Sequence, residues 1–262
     1  MRYFEKLRES WQKKLKEKLA NAPTVVSLFA GCGGSSLGYS IAGFRELLAV
    51  DFDKNAVEVF RINFPNVPIM LADITKLSGQ EILDKSGLIP GELDVLDGSP
   101  PCQGFSTAGK RDFADEKNDL FGHYIRILQE LRPKVFIAEN VSGMVKGKMK
   151  LIFAGVLREL KDSGYNVRAS LLNAKFFNVP SNRERLIFIG VRNDLKILPS
   201  FPLQVGAIIL PADAWENLLA NDELPKIVPD DLKQALKYYE PGKLCTEKQK
   251  NILKRITGKS GG

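Results

Sequence analysis

The chain has 262 residues, 44% hydrophobic and 26% charged, so it is long enough to bury a full α/β core. Its 38 Lys and Arg residues outnumber 31 Asp and Glu residues, and the formal net charge of +7 weakly favours a polyanionic partner. No run approaches the ~18 apolar residues of a membrane span, and the amino terminus is charged where a signal peptide is apolar. We therefore expect a cytoplasmic protein with no membrane partner.

Three cysteines and one histidine limit the chemistry further; they are Cys32, Cys102, Cys245 and His123. They are too few and too scattered for a disulfide framework or a zinc site, so we expect reduced thiols and no metal. A Ser-His-Asp or Cys-His mechanism would have to use His123. That residue lies in a helical pattern, where a solvated side chain is expected.

The first predicted element is an amphipathic helix in a separate N-terminal region, residues 1–22. Apolar side chains recur there at helical spacing, which predicts a helix docked on the core by one face. These side chains are Phe4, Leu7, Trp11, Leu15 and Leu19.

Between residues 23 and 198, short runs rich in β-branched residues alternate with helical patterns. Strands are predicted, in chain order, in TVVSLFAG, ELLAVD, VPIML, LDVLDG, KVFIAEN, YNVRASLLN and RLIFIGV. Strands separated by crossover helices predict an α/β fold, a mostly parallel sheet with helices on both faces. From 199 to 262 prolines recur and only short helices are readable, which indicates a separate connecting region.

Five polar or glycine-rich segments follow predicted strands: FAGCGG, VDFD, ADIT, GSPPCQ and AEN. Parallel sheets of this kind bind ligands at the carboxyl ends of their strands. The sequence therefore predicts that one pocket collects all five segments.

The segment FAGCGG favours a nucleoside site. It follows a strand and opens a helix, and Asp51 ends the next strand about 20 residues later, where an acidic side chain accepts ribose hydroxyls. The spacing departs from G-x-G-x-x-G, which favours a nucleoside without a pyrophosphate, and a tight strand–helix turn remains the structural alternative. Asp73, in ADIT, either hydrogen-bonds an adenine amino group or caps the following helix.

Cys102 stands directly behind Pro100 and Pro101. A small buried thiol is the common structural explanation of a strand-end cysteine. It leaves the prolines unexplained, because they hold the backbone extended and remove two N–H donors. We therefore predict a nucleophile that needs an activating setting, followed by a mobile loop.

Glu139 and Asn140 end a buried strand, where a carboxylate is costly unless it is paired, and Glu139 is a candidate proton donor. Arg183 and Arg185 precede the last predicted strand. An arginine at that position can pair with Glu139, which is also the structural explanation of both side chains.

In order and approximate spacing, the segments SLFAGCGG, VDFD, ADIT, GSPPCQGFS, AENV and RER resemble the cytosine-5 DNA methyltransferases. The resemblance covers residues 24–195, and the Pro-Cys-Gln segment with the later Glu-Asn-Val is its most specific part. It implies the Rossmann-like methyltransferase fold, S-adenosyl-L-methionine as cofactor, double-stranded DNA as partner, and a place in restriction-modification or a related system.

The resemblance also implies residue roles. Cys102 adds to C6 of a flipped-out cytosine, Glu139 assists at N3, and Arg185 holds O2 while C5 takes the methyl group. Arg183 and Asn140 complete the predicted catalytic set. The predicted cofactor contacts are Phe29, Gly31, Gly33, Asp51, Phe52, Asp73, Ile74, Pro100 and Leu120. The predicted DNA contacts are Gln103, Ser106, Lys110 and Arg111.

Two departures from the family pattern affect the expected activity. Ser181 stands where the family has glutamine, and we expect this change to be tolerated. Neither a full target-recognition region nor the closing Gln-x-Gly-Asn-Ser-Val motif is readable, so residues 199–262 are expected to be a partial recognition region. A second subunit, or further chain, would supply the rest. Two alternatives remain open: a tRNA cytosine-5 methyltransferase, and a non-catalytic module that binds DNA or a nucleoside.

Overall fold

The computed structural model describes residues 9, 20–101, 120–147 and 149–204. Within this range, residues 20–101, 120–147, 149–173 and 184–203 belong to one compact unit, and the stretch 174–183 belongs to another. The helix predicted within region 1–22 and nearly all of region 199–262 lie outside the described residues. The boundaries predicted for these regions stay predictions.

The larger unit is built on a seven-stranded sheet. Its strands are β1 (Thr24–Leu28), β2 (Arg45–Asp51), β3 (Ile69–Leu71), β4 (Val95–Gly98), β5 (Val135–Val141), β6 (Tyr165–Asn173) and β7 (Glu184–Arg192). Their spatial order is β3-β2-β1-β4-β5-β7-β6. The first five strands are parallel, whereas β7 runs antiparallel to both β5 and β6. The prediction of a mostly parallel sheet is confirmed.

Among the described residues, five α-helices accompany the sheet: α1 (Gly34–Ile41), α2 (Lys54–Asn63), α3 (Gly79–Ser86), α4 (Leu120–Leu131) and α5 (Met149–Asp162). Local side chains set two of their starts. Asp53 caps α2 by accepting two backbone N–H groups, and Ser78 forms a capping box with Glu81 at the start of α3. No helix in the described part of the chain is both long and apolar enough to span a bilayer.

The strands alternate their side chains between two hydrophobic clusters. Leu96 and Phe136, which are in register on neighbouring strands, belong to a large cluster with residues of α3, α4 and α5. Ala49 points to the opposite face and packs with Phe60 and Phe64 beneath α2. Helices therefore cover both faces, as the sequence predicted, and the loops at the carboxyl ends of the strands remain available for a site.

Candidate active site

The carboxyl ends of β1, β2, β4 and β5 lie along one edge of the sheet because these strands are parallel. The segments FAGCGG, VDFD, GSPPCQ and AEN begin at or follow these ends, and ADIT follows the short strand β3 at the same edge. Since β7 is antiparallel, its beginning reaches this edge too, which brings Arg185 alongside the end of β5. The sheet thus brings together the strand-end segments that the sequence predicted.

The turn after β1 departs from ordinary backbone geometry. Phe29, Gly31 and Gly33 all have positive φ values, of 56°, 55° and 95°. A Cβ at Gly33 would overlap the ring of Phe64, so this position requires glycine for two reasons, its conformation and its packing. The turn is therefore a tight strand–helix connection, and the same geometry leaves the backbone of the turn open to close approach.

Asp51, at the end of β2, holds this turn through its carboxylate. Oδ2 accepts the N–H of Gly31 at 2.7 Å, and Oδ1 accepts the N–H of Asp53 at 2.8 Å. Each carboxylate oxygen carries two lone pairs, so both oxygens retain capacity for a further donor such as a ribose hydroxyl. The arrangement fits a nucleoside ligand whose hydroxyls meet the half-buried Asp51.

The neighbouring aromatic and apolar residues differ in exposure. Phe52 is 74% exposed, which is unusual for a large apolar side chain and leaves its ring available to stack on a base. Ile74, by contrast, is only 6% exposed and packs in the main core, and Leu120 is half-buried at the start of α4. Phe52 therefore offers more apolar surface to an adenine than Ile74 does.

Asp73 lies in the loop after β3. Its Oδ1 accepts both the N–H of Thr75, at 3.0 Å, and the Thr75 hydroxyl, at 2.8 Å. These hydrogen bonds lower the pKa of Asp73, which keeps it an ionised acceptor at neutral pH. The alternative that Asp73 caps the next helix is wrong, because Ser78 occupies the N-cap of α3. The predicted contact with an adenine amino group stays a prediction.

Glu139 and Arg185 form an ion pair across β5 and β7. Arg185 Nε lies 2.6 Å from Glu139 Oε1, and the two side chains are 26% and 33% exposed. Arg185 Nη1 also donates to the Glu184 carbonyl at 2.7 Å, which fixes the orientation of the guanidinium. The pairing with Glu139 that the sequence suggested is formed by Arg185, in an accessible position at the site edge.

Asn140 joins the end of β5 to the proline segment. It is 3% exposed; its Nδ2 donates to the Pro100 carbonyl at 3.1 Å, and its Oδ1 accepts the N–H of Val141 at 2.8 Å. Ser99 Oγ donates to the Phe29 carbonyl at 3.4 Å, so the end of β4 is also tied to the turn after β1. Pro100 itself is buried, and its carbonyl serves as an anchor for the backbone that leads to Cys102.

Several predicted site residues do not enter this geometry. Cys102, Gln103, Ser106, Lys110 and Arg111 lie outside the described residues. Arg183 is exposed and ends the separately grouped stretch 174–183, where its carbonyl accepts the N–H of Ala174 at 3.0 Å. Within the described ranges, no group of three or more His, Cys, Asp or Glu side chains forms a candidate metal site.

One ionisable residue near the site, Asp97 on β4, was not predicted from the sequence. Its Oδ1 accepts the Tyr39 hydroxyl of α1 at 3.1 Å. Burial, followed by the charges of Glu46 and Glu139, raises the pKa of Asp97 to about 7, although hydrogen bonds from Tyr39 and Ser35 oppose the rise. In the sequence, this residue could have been noticed as an aspartate within the apolar run of a predicted strand. In the structure, Asp97 pairs with Ser27 of the neighbouring strand β1.

A sheet of this order, with a glycine turn after β1 and an acidic end to β2, has the Rossmann-like fold of S-adenosyl-L-methionine-dependent methyltransferases. The same fold occurs in a prophage-encoded protein described as a DNA modification methyltransferase (E. coli), with a TM-score of 0.64 and 32% identity over 79% of this chain and 56% of that one. A DNMT2 variant of Spodoptera frugiperda gives a TM-score of 0.57 at 26% identity, over 71% of this chain and 57% of that one.

Residues 23–261 match the family model for C-5 cytosine-specific DNA methylases, and the chain belongs to that family, whose methyl donor is S-adenosyl-L-methionine. It is 36% identical to the type II methyltransferase M.XorII of Xanthomonas oryzae pv. oryzae, over 84% of this chain and 51% of the relative. It is 38% identical to the type II methyltransferase M.AquIA of Picosynechococcus sp., over 64% of this chain and 71% of the relative. The chain spans about half the length of the first of these relatives.

Proposed function

We propose that the protein containing this chain transfers a methyl group from S-adenosyl-L-methionine to C5 of a flipped-out cytosine in double-stranded DNA. The observation that carries the proposal is the Glu139–Arg185 pair at the site edge, 2.6 Å between Nε and Oε1, next to a proline segment held by Asn140. Addition of a thiolate to a pyrimidine ring puts charge on the ring at N3 and O2, which a carboxyl group and a fixed guanidinium can neutralise. The similarity to type II methyltransferases supports a role in restriction-modification.

In the proposed reaction, the Cys102 thiolate adds to C6 of the cytosine, and the Cys–C6 bond forms as electrons move into the ring. Glu139 first takes up a proton from water and gives it to N3 while Arg185 donates hydrogen bonds to O2, so the developing charge is neutralised as in an oxyanion hole. C5 then takes the methyl group that S-adenosyl-L-methionine would supply, with cleavage of the sulfur–methyl bond and release of S-adenosylhomocysteine. A base removes the C5 proton, the electrons return to expel the Cys102 thiolate, and Glu139 recovers the N3 proton.

The proposed cofactor site uses the turn after β1 and the end of β2. Asp51 accepts the ribose hydroxyls, Phe52 and Phe29 contact the adenine, and Asp73 accepts from its amino group. This placement is supported by the free acceptor capacity of the Asp51 carboxylate and by the exposed ring of Phe52. Leu120, half-buried at the start of α4, is the proposed neighbour of the methionine part.

The proposed DNA contacts are Gln103, Ser106, Lys110 and Arg111, which follow Cys102 in the sequence. We also propose that target recognition comes from a second polypeptide or from further chain. This part of the proposal is supported by the relatives, since M.XorII has about twice the length that this chain matches. Its test is whether adding such a polypeptide gives methylation at one specific DNA sequence.

The decisive test is covalent trapping. Duplex DNA carrying 5-fluorocytosine cannot lose a proton from C5, so the proposed mechanism stops at an adduct with Cys102. We expect an adduct in the presence of S-adenosyl-L-methionine, stable to denaturing electrophoresis, from the chain and not from Cys102→Ser. Absence of an adduct, tested with a complementing partner on a panel of duplexes, would refute the enzymatic proposal and favour a non-catalytic DNA-binding module.

A second comparison separates duplex DNA from tRNA. Methyl transfer to each is measured with the same enzyme preparation, with Glu139→Gln as the matched control because it removes a proton and keeps the side-chain shape. We expect transfer to DNA, lowered by roughly 10²- to 10⁴-fold in the variant. Transfer to tRNA alone would replace the DNA proposal with the tRNA methyltransferase alternative.

A further inference from the structure

The loop between β3 and α3 is fastened to α4 by a guanidinium. Arg126 Nη2 donates to the carbonyls of Ile74, at 2.9 Å, and Leu77, at 2.8 Å. Both of these residues bury their side chains in the core, so their carbonyl groups lie close to the protein interior. One planar side chain therefore holds two points of a loop some fifty residues distant in the chain.

Glu130, one turn further along α4, extends this attachment. Its Oε1 accepts from Arg126 Nη1 at 3.0 Å, and its Oε2 accepts the N–H of Gly79, the first residue of α3. A Cβ at Gly79 would overlap the Glu130 side chain, so glycine permits the close approach. The two α4 side chains thus fix residues 74, 77 and 79 together.

The segment 73–79 also has bonds of its own. Asp73 Oδ1 accepts from Thr75, and the Asp73 carbonyl accepts the N–H groups of Lys76 and Leu77, both at 3.0 Å. These local bonds define a turn, but they do not fix its position relative to the sheet. The buried side chains of Ile74 and Leu77 attach the segment to the core, and Arg126 and Glu130 add polar bonds from a helix packed in the same core.

We propose that Arg126 and Glu130 are positioning residues for the cofactor, holding the segment 73–79 where Asp73 and Ile74 meet the adenine. The proposal rests on the proposed function, which assigns this segment to the adenine end of S-adenosyl-L-methionine. A loop that spends less time in its binding conformation lowers apparent affinity in proportion. Loss of the attachment therefore weakens cofactor binding without altering the groups that act on cytosine.

The test compares four variants with the unsubstituted chain. Arg126→Met keeps most of the apolar stem and removes the donors, Arg126→Lys keeps the charge, and Glu130→Gln weakens the link to Gly79. Arg158→Met is the matched control, since Arg158 is exposed on α5 and far along the chain from this loop. Amide hydrogen exchange of peptides covering 73–79 is measured for each, together with calorimetric affinity for S-adenosylhomocysteine.

In Arg126→Met we expect faster exchange confined to 73–79 and an affinity for S-adenosylhomocysteine lower by roughly five- to thirtyfold. Arg126→Lys should fall between, because an ammonium group cannot reach both carbonyls and the carboxylate in one plane. Glu130→Gln should show a smaller change of the same kind, and Arg158→Met none. With a complementing partner, the KM for S-adenosyl-L-methionine should rise while kcat stays within about twofold.

Unchanged exchange in 73–79 would overturn the proposal, and so would faster exchange spread across the whole sheet, because the latter identifies Arg126 as a general stability residue. An unchanged affinity despite faster exchange would overturn the link to the cofactor. If the unsubstituted chain binds no S-adenosylhomocysteine, the proposed function fails, while the exchange result still decides whether Arg126 orders the segment.

Discussion

Replacement of Asp97 by Asn should change how the stability of the protein depends on pH. Burial, with the charges of Glu46 and Glu139 next, raises the pKa of Asp97 from 3.8 to about 7 in the folded protein, and hydrogen bonds from Tyr39 and Ser35 limit the rise. In the unfolded chain the pKa of this carboxyl returns to its ordinary value. The folded state therefore binds this proton more tightly than the unfolded state does.

The sign follows from the two protonation states. Below about pH 4 the Asp97 carboxyl is protonated in both states, and between about pH 4 and 7 only the unfolded chain releases the proton, so the free energy of unfolding falls as pH rises. The full effect between about pH 5 and pH 7.5 is roughly 2.5 kcal/mol. We expect the measured change to be of this order, about 1 to 3 kcal/mol.

The measurement is urea unfolding of the natural chain and of Asp97→Asn at both pH values. Asn cannot ionise, so the stability difference between the two proteins should move in favour of Asn by the stated amount as pH rises. Asp162→Asn, on an exposed position at the end of α5, is the matched control and should show no such trend. A difference that is the same at both pH values would refute the argument that burial suppresses ionisation of Asp97.

Three further predictions concern the site edge. Asp51→Ala should weaken S-adenosyl-L-methionine binding at least tenfold by calorimetry, because it removes hydrogen bonds to a charged group worth roughly 1.5–3 kcal/mol; equal affinity would contradict the ribose assignment. Asn140→Asp replaces an amide donor with a carboxylate facing the Pro100 carbonyl, so methylation should slow at least tenfold while cofactor affinity persists, and parallel losses of both would argue against it. Gly33→Ala should lower the unfolding free energy by about 1–3 kcal/mol in thermal or urea unfolding, since its Cβ would overlap Phe64; a stability equal to the natural chain would disprove the packing argument.

Local patterns in the sequence predicted the elements of the larger unit, because alternating apolar runs and helical spacing are local properties. The direction of β7 was not predicted, although the ten residues between β6 and β7 contain only a short 3₁₀ helix, Ala174–Phe177, and are too few for an ordinary parallel crossover. The pairing of Glu139 with Arg185 was predictable once both were placed at strand ends. The raised pKa of Asp97 was not predicted, because it results from burial against α1, and a strand pattern does not specify that packing.

The start of α3 at Ser78 is a second feature that the sequence did not predict. Asp73 and Ser78 are both good N-cap residue types, and the sequence analysis weighed only Asp73 as a cap. The structure resolves the choice through Glu81, whose carboxylate accepts the N–H of Ser78 at 2.9 Å and completes a capping box. Asp73 therefore stays in the loop before α3, where its carboxylate accepts hydrogen bonds from Thr75. Because Ser78 caps the helix, the Asp73 carboxylate is not used as the cap.

The segment Pro100-Pro101, which precedes Cys102, is attached to the end of β5. Prolines have no N–H, so the backbone before Cys102 can be anchored there only through carbonyl groups. The Pro100 carbonyl accepts from Asn140, whose side chain is itself fixed by the N–H of Val141. Asn140 directly follows Glu139 on β5, so the backbone leading to the proposed nucleophile and the proposed proton donor share one rigid support. The position of Pro100 relative to Glu139 is therefore set by the sheet.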